Sequence, residues 1–334
     1  MSTAGPNGLP HLSLVIVSYN TASHLSRCLA SIGRYPPTRP FEIVVVDNAS
    51  SDDSAEMVAR DFPEVRLVRR PSNDGYGVAV NSAVKVTAGK WLMFLNPDVE
   101  VREGSLDQLC DFADRHPRAG VVGPRLELAD GRVQASAQHF CSPWRLVFEG
   151  SRLHLLLPRK WRGRLLLGTY FDQSETCAVP WISGACHLIP RSVWDDVGPL
   201  TEETFCGFDD YDFCYRARSR GYEVWLDADT RMTHHCSVAV RARWNQQEVE
   251  QVAIHNTYVV LESHWSWWRI KALQAAELMT YGVEWLRVTS RRRRGEDDAE
   301  YQNRLSQRVV LFGRLLVGRQ RPIRRFGGTR WVLK

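Results

Sequence analysis

Trp91-Leu92-Met93-Phe94-Leu95-Asn96-Pro97-Asp98 is the stretch that decides the fold. Five successive apolar residues, preceded by Ala88-Gly89-Lys90 and followed by a polar triplet with a central proline, predict a short strand buried on both faces rather than one side of an exposed hairpin. Polar chemistry begins where the strand stops. In an open α/β sheet, ligands gather at the carboxyl ends of strands, so Asn96 and Asp98 are expected to project into a crevice.

The flanking sequence repeats this pattern. Leu12 to Val17 is a second continuous apolar run, ending in Ser18-Tyr19-Asn20, and a helix with apolar positions 25, 29 and 32 follows it. Phe41 to Val46 is a third strand running into Asp47-Asn48-Ala49-Ser50-Ser51-Asp52, whose Ser and Asp residues suit the N-cap of a helix over about 53–61. A short strand over 65–68, the loop Asn73-Asp74-Gly75-Tyr76-Gly77 and a helix over about 78–87 lead back to Trp91. Strands alternating with helices at this spacing predict a doubly wound, mostly parallel sheet. Beyond Asp98, a helix over about 105–114, a strand at Gly120 to Gly123 and a hairpin turn at Asp130-Gly131 are expected. Val179 to Ile189 reads as one buried strand with small residues Ser183-Gly184-Ala185 inside it, and Glu223 to Leu226 and Thr230 to Thr233 as two strands around a turn. From Gln246 the chain reads as helices, over 246–263, 265–287 and 299–318.

At 334 residues, 44% hydrophobic and 24% charged, the chain has the composition of an ordinary globular protein. Residues 1–11 form a polar leader without the apolar segment of a signal peptide, and no uncharged apolar run reaches the roughly 18 residues of a spanning helix. Eight cysteines without C-x-x-C spacing suit a reducing compartment and disfavour zinc. The expected location is therefore cytoplasmic. From Arg287 to Lys334 there are 14 Arg/Lys against four acids, a net +10 that leaves −5 of the total +5 on residues 1–286. Such a tail suits an anionic partner.

Four acidic or amide-rich segments close strands or open a helix on one expected edge: Ser18 to Asn20, Asp47-Asn48, Asn96 to Asp98 and Asp209-Asp210. Carboxylates crowded in one crevice repel unless a cation or a base function calls for them. Oxygen ligands without thiolates select a hard ion, Mg²⁺ or Mn²⁺, with Asp98 as ligand and His234 as a second.

These pieces, taken in order over residues 12–240, resemble family-two glycosyltransferases of GT-A fold, in particular the bacterial rhamnosyltransferase-like branch. The matching residues are Val15 to Asn20, Val44 to Ser50, Asn73 to Gly77 with Asn81, Leu95 to Asp98, Trp181 to Ala185, Phe208 to Cys214, and His234 with Ser237. The resemblance implies an inverting, metal-dependent transfer of a sugar from a nucleoside-diphosphate donor, dTDP- or UDP-linked with dTDP-rhamnose among the candidates, to a hydroxyl of a glycan, lipid-linked or small-molecule acceptor. It places the nucleotide base at Asp47, lines the donor pocket with Ser18, Tyr19, Asn20, Asn48, Asn73, Gly75, Gly77, Asn81, Asn96 and Pro97, and makes Trp181, Ser183 and Gly184 the acceptor and sugar wall. Asp98 and His234 would hold the metal. Asn96-Pro97-Asp98 replaces the family's usual D-x-D, keeping only the last carboxylate. Asp210 would be the general base, with Asp209 standing where the family has Glu.

The implied organisation is a GT-A catalytic domain over 12–245, its nucleotide-sugar half about 12–100 and its acceptor half about 101–245, followed by a helical, basic extension over 246–334. Trp265, Trp267 and Trp268 with Arg269, Lys271 and the arginine-rich tail suit peripheral attachment to the inner face of a membrane. Leu153 to Leu167, which interleaves leucines, a tryptophan and cations, reads either as a buried insertion or as an interfacial segment. No nucleic-acid-binding motif accompanies the basic residues. A nucleotidyltransferase would share the crevice but needs a Gly-rich basic loop after the first strand, and Ser18-Tyr19-Asn20-Thr21 is none; a catalytically weak relative serving as a scaffold is the other alternative.

Overall fold

The structure of the protein, a computed structural model, describes residues 9–235, 246–292 and 299–317. The described residues divide between two compact units, Met1–His139 with Asp172–Thr257 and Phe140–Phe171 with Tyr258–Lys334.

The first unit is a central sheet flanked by helices. Its first half alternates β1 (Leu12–Ser18), α1 (Ala22–Arg34), β2 (Phe41–Asp47), α2 (Ser54–Asp61), β3 (Arg66–Arg69), α3 (Tyr76–Val84) and β4 (Trp91–Leu95). Every residue of β1 and β4 is buried, as strands covered by helices on both faces require. Leu25, Cys28, Leu29 and Ile32 form the buried stripe of α1. Asp52 ties two helix starts together, accepting the Ser54 N–H at 3.0 Å on one carboxylate oxygen and the Ala22 N–H at 3.0 Å on the other.

The second half comprises β5 (Val99–Glu100), α4 (Ser105–Arg115), β6 (Ala119–Glu127), β7 (Ala137–Gln138), β8 (Cys177–Val179), β9 (Trp181–Ile182), β10 (Cys186–Pro190), α7 (Arg191–Val197), α8 (Asp209–Ser219) and β11 (Glu223–His234). Among the described residues the main sheet runs β3-β2-β1-β4-β10-β6-β11-β5, with β8 also on β11. β3, β2, β1 and β4 are parallel, β10 runs against β4 and β6, and β11 is parallel to β6. Two strand expectations change. Val179 to Ile189 is three strands, because Pro180 cannot donate to a ladder and Ser183 to Ala185 loop out before β10. Glu223 to His234 is a single strand with an irregularity after Asp227, where the Thr230 hydroxyl donates to the Asp227 carboxylate at 2.6 Å and holds the bulge.

The second unit contains α5 (Pro143–Gly150), a 3₁₀ turn at Leu153–Leu156, α6 (Arg159–Leu166), the end of α9 (Gln246–His264), α10 (Trp267–Arg292) and α11 (Ala299–Val317). Residues 140–171 group with the C-terminal helices because α5 lies against α10. A Cβ on Gly150 would stand 2.5 Å from Thr280 Cγ2, Arg287 donates to the Gly150 carbonyl at 2.9 Å, and Arg152 pairs with Glu284 at 3.2 Å. On its other side α10 meets α11 through the stacked rings of Tyr281 and Phe312, 5.4 Å apart, and the Trp285 indole N–H on Ser306. Trp265 is buried beneath the Arg269 guanidinium, and Lys271 caps the last carbonyls of α11 at Leu315 and Leu316, whereas Trp267 and Trp268 are exposed. No described helix is long and apolar enough to cross a membrane.

Tyr258 donates its hydroxyl to Glu277, and burial pushes the Glu277 carboxyl up to about 7. A carboxyl whose pKa is raised by folding favours the folded state at pH below that value and withdraws the advantage as pH rises through it. Stability measured by urea denaturation is expected to fall between pH 5 and pH 8, and Glu277→Gln to flatten that dependence; an unchanged slope in the variant would assign the effect elsewhere.

Candidate active site

The register of the sheet assembles the polar strand ends. Ser18 pairs with Asp47, Ile16 with Leu95, and Leu95 in turn with Cys186 of the antiparallel β10. Tyr19-Asn20, Asp47-Asn48, Asn96 to Asp98 and Ser183 to Ala185 therefore emerge at one edge. The Asn96 N–H donates to the Ala185 carbonyl at 2.9 Å and welds two of these segments together. At the far side, His234 pairs with Val99.

Asp98 and His234 are both buried, with Asp98 Oδ1 3.2 Å from His234 Nε2. His234 Nδ1 lies 2.6 Å from Gln134 Oε1, an oxygen that only accepts, so Nδ1 carries a proton and the ring is held with Nε2 toward Asp98. Nε2 carries no hydrogen bond. An imidazole nitrogen facing a carboxylate oxygen in buried space is a donor set that fits a divalent cation, and the outer hydrogen bond from Nδ1 is the usual companion of a ligating histidine. Among the described residues no third His, Cys, Asp or Glu joins the pair. Asn96 is half-buried, and Pro97 shapes the turn in which the Val99 N–H returns to the Asn96 carbonyl.

Asp47 is buried, with Oδ2 accepting the Ser50 N–H at 3.2 Å and Oδ1 without a partner. A buried carboxylate oxygen left unpaired is costly unless a ligand donor meets it. Beside it, Asn48 donates to Asn73 Oδ1 at 2.8 Å and to the Gly75 carbonyl at 3.3 Å. Asn20, at φ 53°, accepts the Ser51 N–H at 2.7 Å and so locks the loops after β1 and β2.

Some residues assigned to the donor by resemblance make contacts within the fold. The Ser18 hydroxyl is buried against Thr21 at 2.8 Å. The Asn81 amide donates to the Leu200 carbonyl at 3.0 Å and to Glu202, and its oxygen accepts the Leu200 N–H. Gly77 lies so close to the backbone that a Cβ would meet the Thr201 oxygen at 2.2 Å, and a Cβ on Gly75, at φ 109°, would stand 2.7 Å from the Phe205 oxygen. The Tyr76 N–H donates to that same Phe205 carbonyl at 2.8 Å. These groups fasten residues 200–205, the segment that leads into α8. Asn256, buried in α9, adds a bond to the Cys206 carbonyl at 2.8 Å, and Arg216 reaches back to the Val197 and Pro199 carbonyls while pairing with Asp212. Asp212 thus has a structural partner.

The clamped segment delivers Asp209 and Asp210 at the first turn of α8. Asp210 is half-buried, and its carboxylate accepts the Gly184 N–H and the Tyr211 N–H, each at 2.8 Å. Burial raises its pKa above the ordinary carboxylate range, and the two N–H donors oppose the rise. Asp209 is buried; desolvation and the Asp210 charge push its carboxyl up to about 8. Burial thus holds both carboxyls of the pair above their ordinary range. Gly184 sits against Asp210, the Ser183 N–H donates to the Ser136 carbonyl, and Trp181 leans on Tyr211 with its indole N–H on the His139 carbonyl. Gln134, Asn256 and the buried His187, whose charge would bear on Asp210, were not singled out from the sequence; each is an isolated polar residue outside any motif. Ser237 lies outside the described residues.

The strand ends of this mixed α/β sheet thus gather a carboxylate–histidine pair, a buried aspartate with one oxygen unbonded and a helix-borne aspartate. Residues 13–197, more than half the chain, match the family described as Glycosyl transferase family 2. The chain belongs to that family and is a glycosyltransferase. It is 32% identical over 276 residues to the N-acetylglucosaminyl-diphospho-decaprenol L-rhamnosyltransferase of Mycobacterium tuberculosis, covering 77% of this chain and 86% of that protein. It is 30% identical to the O-antigen biosynthesis protein RfbC of Myxococcus xanthus over 70% of this chain and 18% of that protein. The crystal structure of GalNAc-T7 with UDP, GalNAc and Mn2+ shares the fold, with TM-score 0.50 and 17% identity over 69% of this chain and 44% of that one.

Removing the Asn81 amide strips partners from the buried Leu200 backbone, a loss of about 1–3 kcal/mol for a buried group left unsatisfied. Asn81→Ala is expected to lower the urea midpoint accordingly and to reduce turnover of the folded enzyme, because the segment carrying Asp210 loosens. Unchanged stability would mean that water replaces the amide.

Proposed function

We propose that the protein is an inverting, metal-dependent glycosyltransferase that moves a sugar, rhamnose in the leading case, from a dTDP- or UDP-linked donor to a hydroxyl of a lipid-linked glycan acceptor at the cytoplasmic face of a membrane. The observation that carries the chemistry is the Asp210 carboxylate, held at the first turn of α8 by the Gly184 and Tyr211 N–H groups beside the buried Asp209. The rhamnosyl donor and the lipid-linked acceptor rest on the similarity to the mycobacterial enzyme, whose name specifies both a decaprenol-linked substrate and rhamnose.

In this reading the unpaired Asp47 Oδ1 receives a donor N–H of the nucleotide base, with Asn48 and Asn73 holding the wall around it. A divalent ion held by Asp98 and His234 would supply positive charge for the leaving diphosphate. Asp210 removes the proton of the acceptor hydroxyl as its oxygen bonds to the anomeric carbon, the bond to the nucleoside diphosphate breaks, and the anomeric configuration inverts. Gly184 presents its N–H to Asp210 and leaves room beside it.

Loss of a positioned general base costs about 10²–10⁴ in rate. Asp210→Asn is expected to lower kcat by that order with donor and metal binding retained, while Asp209→Asn loses less. In the wild type, kcat/KM rises with pH through an apparent pKa above the ordinary carboxylate range, since the base must be deprotonated and burial raises it. Retained turnover in Asp210→Asn would remove it as the base.

Outer partners of ligating histidines are worth about 10–100-fold in metal affinity. Gln134→Ala is expected to weaken Mn²⁺ affinity by that factor, measured as Mn²⁺-dependent thermal stabilisation in the presence of dTDP or UDP, and Asp98→Asn to abolish the Mn²⁺ response. An Mn²⁺ response unchanged by Asp98→Asn would place the ion elsewhere.

A further inference from the structure

The second unit carries a face that its own packing leaves uncovered. Residues Thr280, Glu284 and Arg287 of α10 form one row and meet α5 and the turn after it; Tyr281, Trp285 and Thr289 form another and meet α11. The neighbouring row, Met279, Val283 and Leu286, recurs at the same helical spacing and is exposed, Leu286 to 61%. Across the α5–α10 contact, the Arg152 guanidinium on Glu284 brings in the 3₁₀ turn, where Leu153, Leu155 and Leu156 are exposed, Leu156 to 81%. Trp161 of α6 follows at 72%. Single exposed apolar residues are ordinary on a soluble surface, but two sets flanking one packed seam are a patch.

The charge around the patch selects its partner. Residues 140–171 hold six cations, Arg145, Arg152, Arg159, Lys160, Arg162 and Arg164, against the single acid Glu149. Leucine and tryptophan among Lys/Arg is the composition of elements that lie in a membrane interface, apolar side chains among the acyl chains and cations at the headgroups. A second copy of the chain would bring the same excess of positive charge to the contact. No described helix crosses a membrane, so attachment would be to one surface.

We propose that this face, the turn Leu153–Leu156 with Trp161 and the Met279-Val283-Leu286 row, docks the second unit on an anionic lipid bilayer. The inference extends the lipid-linked acceptor proposed above, and it moves the membrane contact from the basic tail to a folded surface. Because the variants remove side chains that are mostly exposed, the fold is expected to persist, with an unchanged melting temperature as the check.

The full chain, without donor or metal, is floated on density gradients with phosphatidylcholine vesicles and with vesicles containing phosphatidylglycerol, at low and high salt. The expected result is flotation with the anionic vesicles, weakened by salt, and a loss of about tenfold or more in partitioning for the double variant Leu156→Ser, Trp161→Ser. Leu9→Ser, an exposed leucine of the other unit, is expected to leave it unchanged. Absence of wild-type flotation overturns the proposal, as does equal flotation of the double variant. A double variant that instead loses self-association in sedimentation, with flotation intact, assigns the face to a second copy and overturns it too. Flotation requires no turnover, so a failure here leaves the glycosyl transfer standing, and an inactive protein that still floats leaves the surface standing.

Discussion

The position of Leu95 governs the site. It pairs with Ile16 on one side and Cys186 on the other, in a parallel ladder and an antiparallel one. Those two registers bring the exits of β1, β2 and β4 and the entry to β10 to one edge, so that the loops beyond them share a crevice. A one-residue slip in either ladder would turn every buried side chain of the strand to the other face, which the continuous burial of β1 and β4 forbids. The hydrophobic effect thus fixes the relative placement of the polar groups at the strand ends.

A second constraint delivers the proposed base. The segment from Gly198 to Gly207 has no regular structure, yet it is held from α3 by Asn81 and the Tyr76 N–H, from α8 by Arg216, and from α9 by Asn256. The absence of a Cβ at Gly75 and Gly77 lets the backbones close to contact. Phe208 then takes a left-handed conformation, φ 67°, which a bulky residue adopts only when its surroundings impose it. The strain there and the clamps before it act together: they set the first turn of α8 so that Asp210 meets the Gly184 N–H while Asp209 turns into the protein. Two adjacent carboxyls, alike in covalent chemistry, thus meet different surroundings: Asp210 stands in a partly open place against the Gly184 and Tyr211 N–H groups, and Asp209 is buried.

How much of this could be read from the sequence follows from the range of the interactions. Runs such as Val44-Val45-Val46 declare their burial locally, and the C-terminal helices announce themselves by length and period, so the sheet class and element order were legible. The break at Pro180 and the bulge at Asp227 depend on which strand lies alongside, which no window of sequence contains. Asp98 and His234 were each visible as polar residues at a strand end; that they meet depends on β5 turning antiparallel to β11. Gly77 and Asn81 belonged to a recognisable motif, but their engagement with residues 200–202 is a tertiary fact. Gln134 and Asn256 gave no signal at all, since a lone amide in a turn or a helix is as common on a surface as in a buried network.

The two-ligand pair has a further consequence for how the site would work. A hard divalent ion prefers about six oxygen or nitrogen donors, and the one carboxylate and one imidazole paired among the described residues would leave most of that shell to other donors, water and substrate among them. Affinity for the ion alone would then be low, and donor diphosphate, with its own charge and oxygens, would raise it; by linkage the ion raises affinity for the donor equally. Retaining both carboxylates of a D-x-D would bind the ion more tightly in the absence of donor, at the cost of more mutual repulsion in an empty crevice. With Asn96 in the first position that repulsion is absent, and Asp98 is left with His234, whose imidazole adds a ligand without adding negative charge. Loading of ion and donor as a unit follows from that substitution.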